Sequence, residues 1–262
     1  MKLNYVSMGN GPRTLVLLHG FPLDHAMWDG AAARLSSTMQ VIVPDLRGLG
    51  ISPAPRDGYE MEEHARDVVE LLDSCGVDGP IVLAGLSMGG YVALAFAEAH
   101  SHRLSGLILC DTRATADMAD AAASRETLAA TVERQNSTAP VIEGMLPKLL
   151  ATDRYASDPA TVDRLRAMMQ RQRVAGVAGC LRGMAKRPDR RSLLPRLAMP
   201  ALVVVGSDDR ITPISDAKEM ANRLPNAVLH EIAGAGHMAP LEEPEAFARI
   251  VHEFVSNRVG HG

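Results

Sequence analysis

Apolar positions along the chain gather into short unbroken runs separated by longer stretches of mixed character. The runs cover residues 15–18, 41–43, 81–84, 107–110 and 201–205, and a further strand-like stretch covers 228–232. Unbroken runs without apolar/polar alternation are the pattern of parallel strands covered on both faces. Between them the period lengthens. Residues 62–74 place Ala65, Val68, Val69 and Leu72 on one stripe, 91–99 are rich in alanine, and 244–255 open on a proline suited to a first helical turn. Strands alternating with helices predict a doubly wound α/β sheet. The rhythm breaks over residues 113–195. No strand-like run occurs there, and helical patterns are punctuated by Pro140, Pro147, Pro159 and Pro188. That span is too long for an ordinary connection. It is expected to form a helical cap, with 1–112 and 196–262 forming the sheet core.

Composition narrows the class. The chain has 262 residues, 47% apolar and 22% charged, with net charge −4. Ordinary apolar content and modest charge exclude disorder, and there is no basic footprint for nucleic acid. Cys75, Cys110 and Cys180 are odd in number and lack CxxC spacing, which fits a reducing compartment better than a disulfide framework or a zinc site. The first residues lack the apolar core of a signal peptide, and no apolar run reaches membrane-spanning length. A cytoplasmic protein with no membrane partner is expected; the oligomeric state is open. Charge is uneven, with residues 113–195 carrying +5 against −9 for the remainder. This reads either as solvated helix faces or as a basic lid drawing anionic substrates.

The candidate chemistry starts at Gly85-Leu86-Ser87-Met88-Gly89, after one strand-like run and before a helical stretch. A serine nucleophile must stand clear of the sheet on a sharp strand-to-helix turn, and flanking glycines let that turn close. The pentapeptide alone would arise in about one chain in ten of this length, so the strand and helix around it matter more. A serine hydroxyl needs a base to take its proton and an acid to orient that base. His237 lies in the loop after 228–232, and Asp209 in the loop after 201–205, where α/β sheets place their ligands. Asp208 and Asp111 are the alternatives for the acid. His19-Gly20-Phe21-Pro22 follows the first run. The N–H groups of Phe21 and Met88 are the expected oxyanion donors, with His19 ordering that loop through hydrogen bonds.

Taken together, His19-Gly20, Asp45-Leu46-Arg47-Gly48, the serine turn, the aspartate loop with Pro213 and the Gly236-His237 loop resemble the α/β-hydrolases of the single-domain esterase and lactonase type. The resemblance implies a mostly parallel twisted sheet of about eight strands, helices on both faces, a helical cap, a Ser87–His237–Asp209 triad, and an oxyanion hole from Phe21 and Met88. Serine rather than aspartate at 87 separates the chain from the similar haloalkane dehalogenases and epoxide hydrolases. Residues 179–189 are similar to 3-oxoadipate enol-lactonases, but Gly179-Cys180-Leu181-Arg182-Gly183-Met184-Ala185-Lys186 departs from their GCCAAIRD-like segment.

The expected activity is cleavage of a small ester or lactone through an acyl-enzyme on Ser87, without metal or organic cofactor. Alternatives are an enol-lactonase acting on an anionic lactone, a perhydrolase, a C–C bond hydrolase, or a ligand receptor on a hydrolase scaffold. Trp28, Met145, Leu149 and Met168 are candidate pocket residues, against core packing. Asp45 and Arg47 are expected in a structural ion pair or turn. His25, His64, His100, His102, His230, His252 and His261 lack metal spacing and are expected at the surface or supporting the site from behind.

Overall fold

The computed structural model describes residues 1–260, so His261 lies outside the described residues. In chain order the elements are β1 (Tyr5–Met8), β2 (Thr14–Leu18), α1 (Asp29–Leu35), β3 (Gln40–Pro44), α2 (Met61–Ser74), β4 (Ile81–Leu86), α3 (Met88–His100) and β5 (Leu104–Cys110). Five helices follow: α4 (Ala119–Gln135), α5 (Ala139–Leu149), α6 (Thr152–Ser157), α7 (Pro159–Gln170) and α8 (Val174–Ala185). The chain then returns through β6 (Ala201–Gly206), α9 (Ile214–Arg223), β7 (Ala227–Ile232), α10 (Ala239–Glu242) and α11 (Pro244–Arg258).

The sheet has seven strands in the order β1-β3-β2-β4-β5-β6-β7, parallel except for β1 against β3. This is one fewer than the roughly eight expected. The six strand-like stretches read from the sequence are all present. The seventh, β1, escaped notice because it is a four-residue edge strand whose positions alternate between exposed and half-buried. An edge strand with one wet face has no reason to be continuously apolar. Every residue of β4 and β6, by contrast, is buried.

Parallel strands with right-handed crossovers put all their carboxyl ends on one edge, and the loops there carry the candidate chemistry. Helix α3 is apolar all round, buried from Met88 to Ala97, so the element starting at Ser87 is embedded rather than laid on the surface. The helices α4–α8 follow β5 from this edge, and the chain re-enters the sheet at the amino end of the parallel neighbour β6. Helix α8, which holds the segment similar to enol-lactonases, sits hard against Tyr59: a Cβ on Gly183 would lie 1.8 Å from the Tyr59 carbonyl oxygen.

Candidate active site

Ser87 occupies the turn between β4 and α3 with φ 53° and ψ −113°, a conformation costly for a residue with a side chain. The surroundings over-determine it. Its N–H donates to the Cys110 carbonyl at 3.0 Å, and its own carbonyl accepts from the Thr112 hydroxyl at 2.8 Å. A Cβ on Gly85 would come within 2.2 Å of the Gly89 carbonyl oxygen, and one on Gly89 within 2.3 Å of the Leu18 carbonyl oxygen. Both glycines of the pentapeptide are therefore required by close backbone approach, which is why the pattern was legible.

The loop after β2 lies alongside. A Cβ on Gly20 would be 3.6 Å from the Ser87 Cβ. His19 is fully buried; its Nε2 accepts the Leu46 N–H at 2.8 Å, leaving Nδ1 to donate to the Gly20 carbonyl at 3.0 Å. Burial holds its pKa below the ordinary histidine range, so it stays neutral and can serve both bonds. Phe21 is nearly buried, and Met88 is the first residue of α3, where N–H groups have no carbonyl one turn back. Among the described residues neither of these two N–H groups has an acceptor.

After β6 and β7 the two remaining loops are laced together. The Ser207 N–H donates to the Ile232 carbonyl and the Asp208 N–H to the Ala235 carbonyl, at 3.0 and 2.8 Å. This brings the Asp209 Oδ2 to 2.9 Å from the His237 Nδ1, both side chains buried. Asp209 also accepts from the Ile211 N–H (2.7 Å), the Thr212 N–H (3.0 Å) and the Thr212 hydroxyl (2.5 Å). Burial pushes its carboxyl up, but His237 and the Thr212 donors outweigh burial and hold it below the usual range. Asp208, the neighbouring candidate, is exposed and accepts only from Ser207 at 3.4 Å.

Asp111 is the third carboxyl considered for the acid. It is buried at φ 43°, with Oδ1 accepting the Gly206 N–H at 2.8 Å and Oδ2 unpartnered. Burial first, and the nearby Asp209 charge second, push its pKa well above the ordinary carboxyl range. Asp209 is the carboxyl in contact with His237, and Asp111 is engaged with the Gly206 N–H instead. Among the described residues no hydrogen bond joins the Ser87 hydroxyl to His237.

The expected pocket residues divide. Met145 lines a cavity of about 250 Å³ with Leu128, Lys148, Leu181 and Ile211, the last beside Asp209. Trp28, Leu149 and Met168 do not line it. Trp28 is fully buried with its ring 5.6 Å from that of Phe247, and Leu149 and Met168 are buried in the packing of α5 and α7. Neither periodicity nor residue type separates a helix face turned to a cavity from one turned to a neighbouring helix.

Asp45 and Arg47 do not pair with each other, but the segment does turn, closed by the Leu49 N–H on the Leu46 carbonyl at 2.9 Å. Asp45 accepts from His25 at 2.7 Å, while Arg47 makes a two-pronged contact with Asp67 at 2.7 and 2.9 Å. His64 is not at the surface: it is fully buried, both ring nitrogens lack partners, and burial lowers its pKa to about 3. Asp24, His25 and Asp45 cluster closely enough to suggest a metal site. Yet each carboxylate oxygen of the cluster already accepts two donors: from Arg171, Gln172 and Ala26 on Asp24, and from His25, Asn4 and Ile51 on Asp45. The cluster brackets the loop after β2 to the end of α7. Thr212, Thr112 and Glu242 went unnoticed in the sequence, since a threonine or glutamate in a loop carries no pattern.

Comparison with known proteins agrees with this layout. A family model described as alpha/beta hydrolase fold matches residues 13–244. A solved thermophilic esterase from Thermogutta terrifontis, with malate bound, is 40% identical and superposes with TM-score 0.95, covering 98% of this chain and 94% of that one. The 3-oxoadipate enol-lactonase 2 of Acinetobacter baylyi is 26% identical over 95% of this chain and 91% of its own. A 2-hydroxymuconate semialdehyde hydrolase of Pseudomonas putida is 30% identical over 97% and 91% respectively.

Proposed function

The chain belongs to the alpha/beta hydrolase family, and on that premise we propose that it is a serine hydrolase of small carboxylic esters and lactones. The observation that carries this reading is the buried His237–Asp209 pair at 2.9 Å, on loops from the same sheet edge as the strained Ser87 turn. With Nδ1 engaged by Asp209, the His237 tautomer leaves Nε2 as the base. Nε2 removes the Ser87 hydroxyl proton as the oxygen attacks the ester carbonyl, the two groups coming into hydrogen-bond reach when substrate binds. The free N–H groups of Phe21 and Met88 receive the charge developing on the carbonyl oxygen, worth about 3–4 kcal/mol per donor in comparable sites. His237 then gives its proton to the leaving alkoxide, and water activated by the same ring releases the acid. A lactone is an ester closed on itself and follows the same steps, its alkoxide remaining tethered to the acyl group.

Helices α4–α8 serve as the cap, residues 113–195 being one unit and the rest the core. The esterase of Thermogutta terrifontis is the relative that most supports an ester over a carbon–carbon substrate, given its identity and superposition over the whole chain. The test is turnover of p-nitrophenyl acetate and butyrate by wild type and Ser87→Ala. A fall of about a thousandfold or more is expected. Equal rates in the two proteins would end the proposal.

A further inference from the structure

We propose that Glu242 is a positioning residue for His237 that also ties the histidine's loop to the helical insertion. The proposal rests on reading His237 as the base. Glu242 closes α10, the single turn directly after His237, and is 5% exposed. Its Oε1 accepts the Gly236 N–H at 2.8 Å and its Oε2 accepts the Ala151 N–H at 3.0 Å. One donor belongs to the residue before the histidine. The other belongs to the junction between α5 and α6, far along the chain. On the opposite side of the histidine, the Met238 N–H donates to the Leu149 carbonyl at 3.1 Å.

The backbone on both sides of His237 is therefore fixed against residues 149–151, and Glu242 supplies half of the fixing. There is no slack between the segments, because a Cβ on Gly236 would lie 2.3 Å from the Ala151 nitrogen. A carboxylate suits this place for a reason specific to its chemistry. Two N–H donors converge from opposite segments, and each needs its own acceptor oxygen. A glutamine offers one oxygen and would turn N–H₂ against an N–H, and an apolar residue would leave two buried donors unmet. Burial pushes the Glu242 carboxyl above its ordinary pKa, and the Ala151 and Gly236 N–H donors counter part of that shift. Arg154 pairs with the adjacent Glu243. The Glu242 carboxylate is thus committed to the two backbone segments. Any shift of residues 149–151 reaches the imidazole through it.

The test measures kcat and KM for p-nitrophenyl acetate, the low-field proton resonance of His237 Nδ1–H, and the melting temperature. In Glu242→Gln and Glu242→Ala, kcat is expected to fall roughly ten- to a hundredfold with KM within about twofold, since a displacement near 1 Å costs about that much. The low-field resonance should broaden or move. Glu243→Gln, on the same segment, should leave both unchanged. Ala151 has φ −52°, which proline accepts, so Ala151→Pro removes the second donor and sets a ring carbon against the glutamate's Oε2; kcat should fall as it does in the Glu242 variants. An unchanged kcat and resonance in Glu242→Gln, or an effect confined to KM or melting temperature, would overturn the proposal. Wild-type activity unaffected by Ala151→Pro would remove the insertion's part in it. Should wild type hydrolyse no ester, the esterase reading fails, while the resonance still decides the place of Glu242.

Discussion

The sheet core and the helical insertion are held by different physics. In the core, β2, β4, β5 and β6 bury nearly every side chain between two layers of helices, and cohesion comes from apolar area and close packing. The insertion's helices pack on one another through apolar stripes; against the core they make close contacts, as at Tyr59 and Gly236, and a further set of ion pairs. Arg113, Arg154, Arg164, Arg171, Lys186, Arg190 and Arg191 reach Asp216, Glu243, Asp29, Asp24, Glu60, Glu62 with Glu98, and Glu219 respectively. The opposite charges of insertion and remainder, read from the sequence as a solvated face or a lure for anions, are thus largely spent on each other. The core fixes where chemistry happens. The insertion adds to its packed contacts a set of ion pairs that water and salt weaken.

The comparison can be broken most sharply at the acid. Asp209→Asn should lower kcat about a thousandfold or more without unfolding the protein, because it disturbs the tautomer and charge facing His237. Asp208→Asn should change kcat by less than about twofold. Equal losses in the two variants would show that the 2.9 Å contact does not select the acid.

Next in size come the two kinds of cohesion. Leu83→Ala, in the middle of β4 and fully buried, should cost about 2–5 kcal/mol in urea unfolding through lost transfer energy and a cavity. Arg190→Ala removes a buried guanidinium from two half-exposed glutamates and should cost about 1–3 kcal/mol, with the larger effect at low salt. If Arg190 proved as costly as Leu83, the distinction between the two regions would be lost.

A smaller effect is written in pH. An unfolded histidine takes up its proton near pH 6.5, about the ordinary value. In the fold burial, helped by the Arg47 charge, keeps His64 neutral down to about pH 3. Between those limits the unfolded chain binds one more proton, so stability falls as pH falls; above the upper limit the group contributes no slope. Wild type should lose about 2 kcal/mol more than His64→Leu between pH 7 and 5 in urea melts. Parallel losses would mean that His64 is protonated in the fold.

The smallest effect concerns the insertion's charge. Because its cations are engaged with core carboxylates, raising salt from low to moderate ionic strength should alter kcat/KM for an anionic ester less than about threefold more than for a neutral one. A steep, anion-specific decline would restore the reading of a charged lure.

Where the sequence was readable, the cause was local. Ser87 announces itself because Gly85, forced by the Gly89 backbone, and Gly89, forced by the Leu18 backbone, leave a pattern five residues long. The central strands announce themselves because both of their faces are covered. Edge strand β1 stayed hidden for the reverse reason, and of the two places open to His64, surface or supporting the site from behind, the surface is excluded by its position one turn before Val68 on the buried stripe of α2.

The amino-acid order alone determined the sheet's central strands, the turn at Ser87, and the loops that carry Asp209 and His237, since each depends on residues within a few positions of one another. Tertiary packing alone decided which aspartate faces the imidazole and that Met145 borders the cavity while Trp28, Leu149 and Met168 do not. It alone placed two N–H groups, from Gly236 and Ala151, at one glutamate. Those outcomes depend on the angles at which distant helices and loops settle, and such angles are fixed by the sum of many weak contacts that no short stretch of chain contains.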